Sequence, residues 1–70
     1  MGLKTNRWYP MSVTPKNGTY GIIGETDMGY LFELCYDKDG VWKESYVENH
    51  KVYYKPLDKD NGFYRWKKVR

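Results

Sequence analysis

No alanine occurs anywhere in the 70 residues. That absence constrains the fold more than any motif does. Alanine is the best helix former, and a helical bundle without one would lose its main source of intrinsic helicity. In its place stand eight Tyr, three Trp and two Phe, side chains that favour pleated, half-buried surfaces. Seven Gly and three Pro punctuate the chain at intervals suited to short strands.

Turn signals cut the chain into alternating segments. Lys16-Asn17-Gly18, Asp27-Met28-Gly29 and Asp37-Lys38-Asp39-Gly40 are turns, because Asn, Asp and Gly tolerate positive φ or cap their own backbone. Glu48-Asn49-His50 is a short link, and 57–62 is a polar loop. The spacing predicts strands over 19–24, 29–36, 41–47, 51–55 and 63–69, with an edge strand inside 4–9. Pro10 and Pro15 make 10–17 a loop, since proline has no amide to give to a central ladder. Within 29–36, Tyr30, Phe32, Leu34 and Tyr36 share one side. Together with Ile22, Val41, Val47 and Val52, the first three of these form the predicted inner set.

The central pattern is a Gly-rich strand, a long strand, an Asp and Gly turn, a Trp-containing strand and a short strand after Asn49. Over residues 19–55 it resembles Src-homology-3-like (SH3-like) barrels at the level of fold. Leu34-Cys35-Tyr36-Asp37 is similar to the aromatic and acidic strip of the peptide-binding members. Their tandem Trp and acidic loop are not recognisable, so the resemblance implies a fold and no ligand. The expectation is one all-β domain over 1–70, either a small SH3-like barrel or a strongly bent antiparallel sheet of five to six short strands. It comprises an N-terminal arm and loop (1–18), a central meander (19–55) and a basic C-terminal strand (63–70).

Catalytic and metal chemistry find little support. A structural zinc site wants four N or S ligands, and the chain has one cysteine, Cys35, and one histidine, His50. A Cys and His nucleophile pair would need a third, orienting group. Asp37 with Asp39, and Asp58 with Asp60, read as turn caps rather than as acid and base. Gly21 and Gly24 lack the rest of a phosphate cradle. No catalytic residue, metal, cofactor or small-molecule substrate is expected.

No apolar run approaches the ~20 residues that cross a bilayer, and no signal peptide is read at the N-terminus. Residues 1–6 nearly fit a myristoylation signal, but Asn6 stands where Ser or Thr is required. The unpaired Cys35 suits a reducing compartment, so a cytoplasmic protein is expected. The small size and absence of alanine resemble accessory proteins of phages and mobile elements.

Charge is uneven. The net charge is +3, from 12 basic and 9 acidic residues. Arg65, Lys67, Lys68 and Arg70 lie in a C-terminal stretch with no acid. Joined by Arg7 and interleaved with aromatic rings, they make a nucleic-acid-binding alternative. The body of the chain is near neutral.

The aromatic residues carry the sharper signal. A chain this short buries only ~60% of the surface its unfolded form exposes. Such an interior cannot enclose all its rings, each of which buries ~150–250 Å². Alternation places Trp42, Tyr46, Tyr53, Tyr64 and Trp66 outward, where Tyr and Trp favour protein contacts. The expected function is a small non-enzymatic binding module that docks a partner protein, or a second copy, through these side chains.

Overall fold

The computed structural model describes residues 6–69. Six strands occupy them: β1 (Trp8–Pro10), β2 (Thr19–Thr26), β3 (Leu31–Tyr36), β4 (Trp42–Glu48), β5 (Lys51–Pro56) and β6 (Phe63–Lys68). They form one antiparallel sheet in the order β1-β6-β2-β3-β4-β5. The all-β expectation holds. Of its two forms, the bent sheet is the one realised. β1 and β5 end the sheet and do not pair with each other, so no barrel closes. Pro10 ends an edge strand, where a missing amide costs no central hydrogen bond. No helix among the described residues is long and apolar enough to cross a membrane.

Two bulges decide which side chains face inward. Thr19 pairs with Tyr36 and Ile22 with Leu34, so β2 carries one extra residue there. Gly21 supplies the positive φ of 72° that such a bulge asks for. Thr19 and Ile22 are consequently both buried. Opposite Glu25 and Thr26 the register slips again, with Phe63 against Thr26 and Arg65 against Glu25. Tyr64 is the extra residue. Phe63 and Trp66 therefore both face the core, while Tyr64 and Arg65 turn away from it.

The core follows from these registers. Ile22, Leu34 and Trp66 are fully buried, and Tyr9, Met11, Trp42, Leu57 and Phe63 pack against them. Gly24 lies between Phe32 and Trp66 in the ladder. A Cβ there would overlap the Leu34 side chain and press on Phe63, so the bare backbone lets both settle onto the sheet. The 11–18 segment closes over the top. Trp66 Nε1 donates to the Val13 carbonyl at 2.8 Å, and Pro15 is buried.

The predicted inner set is only partly inside. Ile22 and Leu34 are buried, but Tyr30, Phe32, Val41, Val47 and Val52 are exposed. Tyr30 and Val41 lie in turns just outside β3 and β4. Phe32 shares the core side but sits near its open end, edge-on to Phe63 at 5.6 Å. Val47 and Val52 lie on a stretch that no other element covers among the described residues.

Candidate functional site: the β4–β5 arm

β3 and β4 pair only where Leu34–Tyr36 meet Trp42–Glu44. Beyond Glu44, β4 has β5 as its one neighbour among the described residues, in a ladder from Lys43↔Pro56 to Glu48↔Lys51. The hairpin thus leaves the body of the sheet as an arm. Its turn is Asn49-His50, with φ of 51° and 64°, the left-handed pair that a two-residue hairpin turn uses. Every residue of β5 is exposed.

Alternation divides the arm into two sides. One carries Glu44, Tyr46 and Glu48 opposite Lys55, Tyr53 and Lys51. The Tyr46 and Tyr53 rings stack there, with centroids 5.6 Å apart and planes 25° from parallel. The other side carries Val47 opposite Val52 and Ser45 opposite Tyr54. Val47 is 71% and Val52 55% exposed, far beyond what burial-driven folding would leave. Tyr54 leans on Tyr20 at 5.8 Å. Aromatic and branched side chains are thus concentrated on an element that adds little to the core.

The five aromatic residues expected at the surface divide. Tyr46 and Tyr53 come together on the arm. Tyr64 is exposed, but on another part of the sheet, where its hydroxyl donates to Glu25 Oε1 at 3.0 Å. Trp66 is fully buried, and Trp42 is half-buried in the same cluster. Those two are corrected to core residues. The bulge at Tyr64 turns Trp66 inward, and the curl of the sheet brings Trp42 over it. Sequence reasoning also missed Val47, Val52 and Tyr54. The signal for Tyr54 was its place beside Tyr53, since adjacent strand residues face opposite ways.

The basic residues do not form one free patch. Arg65 pairs with Glu25. Its guanidinium also lies 4.0 Å from the Trp8 ring centroid, and Lys67 Nζ lies 4.8 Å from the same ring. Arg7 sits over Tyr9 at 5.4 Å, and Lys68 Nζ donates to the Tyr20 carbonyl at 2.7 Å. Arg70 lies outside the described residues, as do residues 1–5. The guanidinium of Arg65 holds the Glu25 carboxyl below the usual carboxylate range. Burial, and then the bond to Glu25, pushes the Tyr64 hydroxyl up.

A second polar cluster braces the base of the arm. Lys43 Nζ donates to Asp37 Oδ2 at 2.8 Å and to Asp39 Oδ2 at 3.0 Å. The Tyr20 hydroxyl donates to Asp37 Oδ1 at 2.7 Å. The bond from Lys43, with those from Tyr20 and the Lys38 amide, holds the Asp37 carboxyl well below its ordinary range. Its bonds to the Asp37 and Asp39 carboxylates push the Lys43 ammonium up. Tyr20, bonded to Asp37, is pushed up to about 12. Asp37 and Asp39 therefore act as turn caps and as the anchor for Lys43.

Cys35 is buried, and burial pushes its thiol up. His50 stands at the tip of the arm. About 17 Å of strand separates Lys43, the partner of Cys35, from Glu48 at the turn, so the two do not meet. Among the described residues, no three His, Cys, Asp or Glu side chains converge on a common point. Two hollows of about 430 and 290 Å³ flank the 57–63 segment, both lined by Asp58, Asp60 and Phe63. Neither is lined by a histidine or cysteine.

Comparison with protein-family models, curated proteins and solved structures finds no match. The functional reading therefore rests on the geometry of the chain.

Proposed function

We propose that this protein is a small, non-enzymatic binding module that docks a partner protein through the β4–β5 arm. One observation carries the reading. The arm exposes Tyr46 and Tyr53 on one side and Val47, Val52 and Tyr54 on the other, and among the described residues no further strand pairs with β5. Tyr offers large contact area at low rotamer cost, with a hydroxyl to orient it. An exposed apolar group of this kind marks an interaction surface more often than a folding need. The nucleic-acid alternative is the weaker reading. Arg65, Lys67 and Lys68 are each drawn to a partner inside the chain, and releasing them to meet phosphates would forfeit those contacts.

The test is affinity capture from the native cell, comparing the intact protein with a Tyr46→Ala, Tyr53→Ala variant and a Tyr64→Ala control. The expected result is a partner retained by the control and lost from the double variant. A partner list that the double variant leaves unchanged overturns the proposal.

A further inference from the structure

We infer that the free edge of β5 receives an extended segment of a partner protein whose side chains run acid, apolar, any, apolar, acid. This deepens the docking reading above and rests on it.

The main chain sets the geometry. In a two-residue hairpin the residues flanking the turn form a hydrogen-bonded pair, and such pairs alternate along an antiparallel ladder. Glu48↔Lys51 is that first pair. The Leu57 amide bonding to the Trp42 carbonyl at 3.1 Å keeps the same alternation at the far end. Lys51, Tyr53 and Lys55 thus spend their amides and carbonyls on β4. Val52 and Tyr54 direct theirs outward, and Pro56 adds a carbonyl alone. An incoming strand finds donors and acceptors ready along this edge.

The side chains set the chemistry. A strand laid beside β5 places alternate residues against Lys51, Tyr53 and Lys55, and the others against Val52 and Tyr54. Glu48 and Glu44 stand across from Lys51 and Lys55. Among the described residues, however, neither lysine makes an ion pair. Their ammonium groups remain to be met, and carboxylates on the new strand would meet them. β4 already displays the complement, with Glu44, Tyr46 and Glu48 facing Lys55, Tyr53 and Lys51. The partner would repeat that pattern on the other side. Because Lys, apolar, Tyr, Tyr, Lys is nearly symmetric, either strand direction satisfies it.

Two of the antiparallel registers open to a second copy are disfavoured. Two β5 edges pairing antiparallel about Tyr53 set Lys51 against the other copy's Lys55, and like charges directly opposite are destabilising. Pairing about Tyr54 sets Val52 against Pro56, which has no amide to donate. Terminal lysines and a proline are devices that blunt an edge against its own kind, while leaving it open to an acidic strand.

The test is an amide-resolved NMR titration of the intact protein with two short peptides, one carrying Glu-Val-Tyr-Val-Glu and one Lys-Val-Tyr-Val-Lys. The expected result is shifts centred on the Val52 and Tyr54 amides, with the acidic peptide roughly tenfold tighter at low salt and the gap narrowing as salt rises. Lys51→Gln with Lys55→Gln should erase the difference between the peptides. Methylating the amides along one edge of the acidic peptide should abolish binding without altering the protein's fold. Equal affinity for both peptides overturns the inference, as do unmoved Val52 and Tyr54 amides. So does concentration-dependent self-association through those amides. Shifts confined to the Tyr46 and Tyr53 side chains would overturn edge pairing while leaving aromatic docking intact. Loss of that broader reading is seen instead in the capture experiment.

Discussion

The indole of Trp66 lies 5.6 Å from that of Trp42, although β2 and β3 separate the strands that carry them. On a flat sheet, three strand spacings of ~4.8 Å would hold such positions ~14 Å apart. The pair therefore measures the curl of the sheet, and Tyr9 stacks on Trp66 at 4.9 Å. Removing Trp66 should remove the centre of the core. Trp66→Ala is expected to cost ~3–5 kcal/mol, enough to unfold so small a domain, and it strands the Val13 carbonyl. Phe32→Ala, at an exposed position, should cost about half as much. Urea unfolding followed by far-ultraviolet circular dichroism measures both, and a larger loss at Phe32 would reverse the assignment of the core.

Gly24→Ala tests how closely the core sits on its sheet. The added Cβ has Leu34 and Phe63 in its way, and the backbone beneath is held by ladders on both sides. Overpacking of this kind costs ~1–3 kcal/mol. The melting temperature should fall, and Leu34→Ala in the same chain should recover part of the loss from Gly24→Ala. Purely additive losses would show that the two do not compete for space.

Much of this architecture was legible in the sequence, and the failures have physical causes. Alternation and turn chemistry locate β3, β4 and β5 to within two residues, and the Asn49-His50 turn falls within the short link read at 48–50. Ile22 and Leu34 are recognisable as core. Trp66 was not, because period-two reading assumes an unbroken ladder, and the extra residue Tyr64 reverses every side chain after it. Val47 and Val52 fail for a different reason. Alternation says which residues share a side, but not whether any layer covers that side. Coverage depends on where β4 leaves β3, which is a property of the whole sheet.

Acid should loosen the base of the arm. Asp37 has a folded-state pKa below its unfolded value, chiefly through its bond from Lys43. Its stabilisation is present above pH ~4 and is lost as pH falls through the lower, folded value. Glu25, lowered chiefly by Arg65, acts in the same direction. Tyr20 is raised to about 12, so its contribution holds below pH ~10 and is lost as pH climbs from there to about 12. Melting temperature should thus be flat across neutral pH and fall at both ends. Asp37→Asn should lower the plateau and flatten the acid limb, while Tyr20→Phe flattens the alkaline limb. An acid limb as steep in Asp37→Asn as in the parent chain would assign acid sensitivity to other carboxylates.

The arm should behave oppositely to the core under mutation. Tyr46 and Tyr53 stack on each other with 39% and 41% of their surface exposed, so deleting both should cost ~0.5–1.5 kcal/mol for the aromatic pair and, beyond that, the apolar area the rings cover. The double variant should remain folded, with the dispersion of its core resonances unchanged. Its binding should nonetheless collapse, because contact area that the fold does not need is what a partner would use. Hydrogen exchange offers an independent check. The Tyr46 and Tyr53 amides, on a two-stranded segment, should exchange faster than those of Ile22 and Trp66, and partner binding should slow them selectively. Equal protection of arm and core in the free protein would mean that the arm is held by something other than its own ladder, and the case for a waiting surface would fail with it.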